Sequence, residues 1–202
     1  MHSLIFLSFL LLLNSHTIYS QQDTTSKQRH ISPSLGGIFV SAGTGLSVPL
    51  GQFNSNSGSS FGLFGRLEYS SISIFPLVLG GEIAYFSYGG TDEFKTQNLL
   101  TTFDTKVFAI GLTAEYALSK YFNITYTTPF ITADVKYNTI KRDIEPSGVK
   151  FENLPEKDNK ISAGIGAGFT IFVFDISVKY IYMKDMTTVG VFTKIKFPAI
   201  RF

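Results

Sequence analysis

GIFVSAGTGLSV, residues 37–48, alternates apolar residues with glycine and serine at nearly every second position. Because successive side chains of a β-strand point to opposite faces, this alternation predicts a strand with one apolar face and one face of small residues. A sheet surface that faces water would carry many Lys and Glu residues, and the small-residue face of this stretch carries none. The stretch therefore predicts a barrel wall whose apolar face is outside and whose small, polar face is inside.

The same pattern recurs in seven more segments of the chain. Each segment is long enough to cross a bilayer as a tilted strand, which takes about 9 to 11 residues. Prolines fall at strand edges or in loops, where the missing N–H group removes no ladder hydrogen bond. The predicted fold is all-β, an eight-stranded antiparallel up-and-down transmembrane β-barrel. Its strands are placed at residues 37–49, 60–71, 77–88, 105–118, 129–139, 161–172, 174–184 and 187–197.

The connections between these segments alternate in length. Membrane barrels have short periplasmic turns and longer external loops, so the alternation predicts that both chain termini lie on the periplasmic side. A short outer connection near residues 184–187 is the exception. The long connections are 51–59, 89–104 and 138–160, and the shorter ones are 71–76, 119–128 and a turn at 172–174.

The two faces of the predicted strands differ sharply in charge. No charge interrupts the outward, apolar set, whereas the inward set carries ten charged residues among glycines. Charges in a narrow interior must be paired, since an unpaired buried charge costs several kcal/mol. The five cations and five carboxylates therefore predict a luminal charge network, made of Arg66, Glu68, Glu82, Glu115, Asp134, Lys136, Asp175, Lys179, Lys194 and Lys196.

The region before the strands resembles an export signal. A ten-residue apolar run, Leu4 to Leu13, is broken only by Ser8 and is followed by small and polar residues around Ser20. This run is too short to span a bilayer as a helix, so we predict a signal peptide at 1–20. Residues 21–36 are polar and aperiodic, which predicts a flexible periplasmic lead-in before a barrel domain at 37–202.

The composition excludes several kinds of chemistry. The chain has no cysteine, and beyond the predicted signal peptide its only histidine is His30 in the lead-in. A serine nucleophile with a histidine base, a thiolate site or a clustered metal site is therefore not expected in the barrel. The formal net charge of +2, with the two signs interspersed, gives no reason to expect a nucleic-acid partner. We expect no enzymatic activity, no cofactor and no bound metal.

Four segments carry a resemblance to a known family: GIFVSAGTGLSVPLG, TPFITADVKY, SAGIGAGFTI and VGVFTKIKFPAIRF. They resemble small bacterial outer-membrane β-barrels of the OmpA/OmpX-like kind, in particular the porin-family barrel domains of Bacteroidota. The resemblance implies an outer-membrane location, contact with outer-membrane lipid and lipopolysaccharide, and recognition by the barrel assembly machinery. It also implies an assembly signal in the last strand, carried here by Gly190, Ile195, Phe197 and Phe202, although Pro198 interrupts the alternation.

The resemblance implies a structural or interaction role for a monomer. The outer loops 89–104 and 138–160 mix charges of both signs, and long loops of this kind are often functional, so they are the candidate contact surface. Lipopolysaccharide, another envelope protein or a host protein could be the partner. Two alternatives stay open at this point: a narrow channel for small solutes, and a soluble ligand-binding β-barrel.

Overall fold

The structure is a computed structural model, and it describes residues 36–119, 121, 127–146, 151 and 154–201. The predicted signal peptide and all of the lead-in except its last residue lie outside the described residues, as does Phe202. These parts of the domain organisation stay predictions.

Eight antiparallel strands form one closed barrel, in which each strand pairs with the next and β8 pairs with β1. The predicted fold class is confirmed. The strands are β1 Gly37–Pro49, β2 Ser57–Ser70, β3 Leu77–Gly90, β4 Thr102–Ala117, β5 Thr127–Glu145, β6 Lys157–Ile171, β7 Phe174–Met183 and β8 Thr188–Arg201.

Two short helices, which the strand pattern does not predict, lie in the connections of one end of the barrel. They are α1 Gln52–Asn56, between β1 and β2, and α2 Asp92–Gln97, between β3 and β4. This end is called the loop end below, and the opposite end, where β2 turns into β3 and β6 into β7, is called the turn end. Over the described residues, no helix is long and apolar enough to span a membrane.

Several strands extend further at the loop end than the sequence predicts. The predicted loop 138–160 is wrong at both edges, because β5 continues to Glu145 and β6 begins at Lys157. The predicted loop 89–104 likewise shrinks to residues 91–101. The reason is a local reversal of polarity: the inward Ile140 is apolar and fully buried, while the outward Lys141 beside it is charged and exposed. A wall that has left the bilayer shows this pattern, with its outer face in water.

The last strand also passes the proline that was expected to end it. Pro198 pairs with Phe39 and Ile200 pairs with Ile38, so Ala199 is the extra residue of a β-bulge. A bulge is one of the few places where a sheet accommodates proline. The strand therefore continues to Arg201.

The outward face between the strand ends is apolar and uncharged. Large side chains such as Leu63, Leu112 and Ile165 are each more than half exposed. Exposed tyrosines border this band, Tyr85 and Tyr137 toward the loop end and Tyr69 toward the turn end, as expected for the two interfaces of a bilayer. A soluble carrier would turn its apolar side chains inward, so the alternative of a soluble ligand-binding barrel is wrong.

The interior is filled by pairs of one large and one very small residue on neighbouring strands. An eight-stranded barrel leaves room inside only for side chains, so a large group fits where at least one neighbouring strand places a small residue opposite it. A Cβ atom added at Gly62, for example, would overlap the ring of Phe86. Four of these pairs place a glycine directly opposite an aromatic ring: Gly43 with Phe64, Gly45 with Phe192, Gly62 with Phe86, and Gly168 with Phe130.

Glycines opposite the charged residues obey the same steric rule, which gives a direct test. Gly111 lies between Glu82 and Lys136, and an added Cβ would collide with the backbone of β5, 2.6 Å from Cα of Lys136. We predict that Gly111→Ala lowers the free energy of unfolding in urea by about 1–3 kcal/mol in lipid vesicles. The control is Gly65→Ala on the outward face, where the nearest atom is 3.8 Å away and no loss is expected. Equal stability of the two variants would contradict the packing rule.

Candidate functional site in the barrel interior and at the loop end

Arg66 lies at the centre of the charged half of the interior. Its guanidinium donates a hydrogen bond to the carboxylate of Glu82 and lies 2.6 Å from Glu115 Oε1. The same guanidinium is 3.7 Å from Glu68 Oε1. All four side chains are buried, so one cation is shared by three carboxylates in a place where water is nearly absent.

Lys136 and Lys179 connect Glu82 to a carboxylate on β5. Lys136 Nζ is 2.5 Å from Glu82 Oε1 and 3.5 Å from Asp134 Oδ1. Lys179 Nζ donates to Asp134 Oδ2 at 2.9 Å. These contacts link charges on β3, β5 and β7 across the width of the barrel.

Two lysines of β8 extend the same network toward the turn end. Lys194 pairs with Glu68, lies 2.8 Å from Glu115 Oε1 and lies 3.2 Å from Asp175 Oδ2. Lys196, whose side chain is 21% exposed, lies 3.2 Å from Glu68 Oε2. The ten residues proposed as the luminal network thus lie inside the barrel and are joined by a continuous series of ion pairs. Whether they act as a plug stays a prediction.

Aromatic rings fill the other half of the interior, nearer the loop end. The ring centroids of Phe86 and Phe192 are 6.1 Å apart, and Phe64 stands at the same distance from Phe192. Phe53 of α1 lies edge-on against Tyr88 with 5.0 Å between centroids. This layer is called the aromatic layer below, and the sequence analysis missed it. The signal was present, because Phe64 shares its face of β2 with Arg66.

The charged and aromatic layers contact each other directly. The guanidinium carbon of Arg66 lies 5.2 Å from the centre of the Phe64 ring, and Lys179 Nζ lies 5.6 Å from that of Phe192. Such cation–π contacts are stronger where water is excluded. The cavity that the aromatic layer shares with Lys136 measures about 40 Å³.

The loop end is closed by α1 and by a buried arginine of β5. Arg142 donates to the backbone oxygen of Pro155 at 2.6 Å and to Sδ of Met186 at 3.6 Å. Burial lowers the pKa of Arg142, and the nearby carboxylate of Asp158 opposes that shift. The guanidinium therefore holds the β5–β6 connection against the top of the aromatic layer.

The connection that contains α2 presents a fixed apolar tip to the surroundings. Thr91 caps α2 by accepting a hydrogen bond from the backbone N–H of Phe94 at 3.3 Å. The Phe94 ring packs on Phe103 with 4.8 Å between centroids. After this anchored helix, Leu99 adopts a positive φ of 55° and is 86% exposed. Leucine rarely adopts this conformation, so the strain is a reason to look for a function at this position.

The assembly-signal residues occupy both faces of β8. Gly190 is buried on the inward face opposite Ser47, whereas Ile195 and Phe197 point outward, and Phe202 lies outside the described residues. Their role in assembly stays a prediction. Over the described part of the chain, no group of three or more His, Cys, Asp or Glu side chains has the arrangement of a metal site.

No family model matches the chain, and neither does any curated protein. Among solved structures, Neisserial surface protein A matches with a TM-score of 0.54 and 16% identity, over 82% of this chain and 97% of that one. The outer-membrane enzyme PagL matches with a TM-score of 0.50 and 18% identity, over 78% of this chain and 98% of that one.

The fold is that of the small outer-membrane β-barrels. At these identities the likeness concerns the fold alone. The apolar, uncharged band between two aromatic belts independently supplies the surface that a bilayer requires. Fold and band together place the chain in a bacterial outer membrane. The finer resemblance to barrel domains of Bacteroidota stays a prediction.

The charged layer predicts a large penalty for removing its central cation. Arg66→Met leaves three buried carboxylates with fewer partners, and breaking a buried pair in this way costs about 3–5 kcal/mol. We expect that loss in the free energy of unfolding, measured in urea with the protein folded in lipid vesicles. Lys141→Met removes an exposed ion pair and should cost about 0–1 kcal/mol. If the two variants were equally stable, the network would not be the stabilising element described here.

Proposed function

We propose that this protein is a structural or interaction protein of the outer membrane, with a closed interior and an outward contact surface at the loop end. The observation that carries the proposal is the unbroken filling of the barrel. Ten charged side chains pair with one another in one half, and packed rings occupy the other half. The 40 Å³ cavity between them has room for about one water molecule.

The closed interior argues against a solute channel. An ion that crossed it would have to separate the Arg66–Glu115 contact and then pass between the rings of Phe86 and Phe192. Both steps disrupt buried interactions for which no water can substitute. A closed barrel of this kind functions through its surface.

Planar-bilayer recording tests the closed interior. We predict no steady conductance for the wild type or for Lys141→Gln, an outward substitution at the loop end that serves as the control. Glu82→Gln, which weakens pairs of Arg66 and Lys136, should also leave the membrane non-conducting because the aromatic layer remains. A steady wild-type conductance that changes in Glu82→Gln but not in Lys141→Gln would favour the channel.

The contact surface in this proposal is the connection 91–101 with the tip Leu99. Its helix carries Asp92, Glu93 and Lys95 around the apolar tip, and Asp92 pairs with Lys95 at 2.8 Å. The Phe94 ring also contacts Phe151 of the β5–β6 connection, with 5.6 Å between centroids. The two connections are thus tied together, as a shared contact surface requires. The occupant we propose is a protein of the envelope or of a host.

Photocrosslinking on intact cells tests this surface. Leu99→p-benzoylphenylalanine should give a discrete ultraviolet-dependent adduct, because the side chain projects from an ordered connection. The same amino acid at Lys184, on the short β7–β8 connection of the same end, is the matched control and should give none. Adducts at both positions in similar yield would indicate random encounters and refute a specific surface.

Further parts of the proposal concern partners and chemistry. We propose that the chain is a monomer, that the barrel assembly machinery recognises β8, and that its role is non-enzymatic. The absence of histidine from residues 37–202 supports the last point, since no imidazole base can activate a serine there. PagL, an enzyme with a similar fold, shows that the fold itself does not decide the matter.

A further inference from the structure

Two glycines on the outward face have no packing reason to be glycine. A Cβ at Gly65 would come no nearer than 3.8 Å to any neighbour, and one at Gly81 no nearer than 4.0 Å. Inside the barrel the opposite holds, and a Cβ at Gly111 or Gly166 would collide with backbone atoms. Large side chains occupy most positions of the outward band, so these two gaps call for a different explanation.

Gly65 and Gly81 form the floor of an apolar groove in the membrane-facing wall. Its sides are formed by Leu67, Ile83, Ile110 and Leu112, and its volume is about 630 Å³. A second depression of about 210 Å³ shares Gly65 and Ile83 with it and ends at Tyr85 and Phe108, in the belt nearer the loop end. A third depression of about 400 Å³ continues from Gly81 and Leu112 toward Tyr69 at the turn end, so the groove crosses the apolar band and its loop-end half runs from the middle of the band up to the interface.

The dimensions of the groove fit one hydrocarbon chain. From Phe108 to Leu112 the wall advances four residues, or about 13 Å along the strand at about 3.3 Å per residue, which is about 10 Å of depth at a tilt of about 40°. One leaflet of the hydrocarbon core is about 15 Å deep, half of about 30 Å. The floor is about one strand spacing wide, about 4.8 Å, so the convex wall of a second barrel cannot enter it. This is the width of a single acyl chain lying against the barrel.

A row of three lysines lies on the outward face just beyond the end of the groove. Lys106, two residues beyond Phe108, is directly opposite Lys141, which is directly opposite Lys157 on the next strand. Like charges in direct opposition destabilise a sheet. The row therefore needs negative charge from elsewhere, at the level where lipid headgroups lie.

The carboxylates around this row only partly balance it. Asp143 lies 2.6 Å from Lys106 Nζ and 3.1 Å from Lys141 Nζ, and Asp104 is the cross-strand partner of Asp143. The hydrogen bond from Lys106 lowers the pKa of Asp143, so this carboxylate is ionised at neutral pH. Lys157 forms no ion pair with any of the described carboxylates. Three cations against two carboxylates leave one positive charge for an anionic ligand.

We propose that the groove and the lysine row form one binding site for a single phosphate-bearing lipid of the outer leaflet. One acyl chain of the lipid lies over Gly65 and Gly81, and its phosphate contacts the row formed by Lys106, Lys141 and Lys157. The site lies on the barrel wall, so it goes beyond the contact surface of connection 91–101 and does not depend on it.

Native mass spectrometry of the detergent-folded protein tests the site, with purified diphosphorylated lipid A as the probe. We expect one retained lipid A per wild-type chain. Gly65→Leu with Gly81→Leu should fill the groove and reduce the bound fraction severalfold. Its matched control, Ala163→Leu with Ala167→Leu, adds three carbons at each site instead of four, places the same leucine side chains on the outward face of β6, and should bind like the wild type.

A second set of variants tests the lysine row: Lys157→Gln alone, and Lys157→Gln together with Lys141→Gln. Each loss should weaken binding about fivefold, since one lysine near an anionic surface contributes about 1 kcal/mol. Dephosphorylated lipid A should bind the wild type as weakly as diphosphorylated lipid A binds the double lysine variant. Inorganic phosphate alone should give no adduct, because it has no acyl chain for the groove.

Three results would overturn the proposal. One is undiminished lipid A binding by the filled-groove variant or by Lys157→Gln. Another is equal loss in the β6 control, which would indicate general damage to the surface. The third is a wild-type mass of two chains without lipid, which would make the groove a contact between copies. Lys157 is exposed, so Lys157→Gln should fold like the wild type. This variant therefore still tests the proposal if the leucine variant misfolds.

Discussion

The narrowness of an eight-stranded barrel is the constraint on which the rest of this structure depends. Eight strands enclose only enough space for side chains, so most large inward residues have a small residue opposite them on at least one neighbouring strand. The chain meets this limit by placing glycine opposite each of Phe64, Phe86 and Phe192. The many glycines of the strands are therefore part of the packing of the interior.

The same constraint explains why the interior is divided into two layers. Long charged side chains fit only where several of them converge on shared partners, as Glu82 does with Arg66 and Lys136. Rings pack best against other rings, which gathers the phenylalanines toward the loop end. The cations of Arg66 and Lys179 lie over aromatic faces at the boundary, so the two layers support each other. A filled interior leaves only the outer wall and the loop end for recognition.

Much of this architecture could be predicted from alternation alone, because a period of two specifies both the strands and their two faces. The eight strands and their closure into an antiparallel barrel were predicted from this alternation. The ends of the strands were harder to predict. At Ile140 and Lys141 the alternation continues, but the apolar residue now points inward and the charged one outward, because the wall has left the bilayer. The bulge at Ala199 depends on pairing with β1, and no local pattern reveals it.

The candidate sites were predictable to different degrees. The alternation of inward and outward positions assigns Arg66 and the other nine charged residues to the interior. It cannot show that Arg66 contacts three carboxylates, because those contacts depend on the register of separate strands. The same alternation also predicts that Phe64 lies in the interior, since it is two residues from Arg66. The different roles of Gly62 and Gly65 cannot be predicted from the sequence, because only the structure shows that the Phe86 ring covers Gly62 and that the space over Gly65 is open.

The function of the barrel depends on which face of its wall meets lipid, and a spin-label accessibility scan along β5 measures this most directly. The chain has no cysteine, so single cysteines at Ile131, Val135, Lys141 and Asp143 can be labelled without interference. We expect high oxygen accessibility at 131 and 135, and high accessibility to a water-soluble nickel complex at 141 and 143. Strong access of the nickel complex to 131 and 135 would place the apolar face in water and contradict the account.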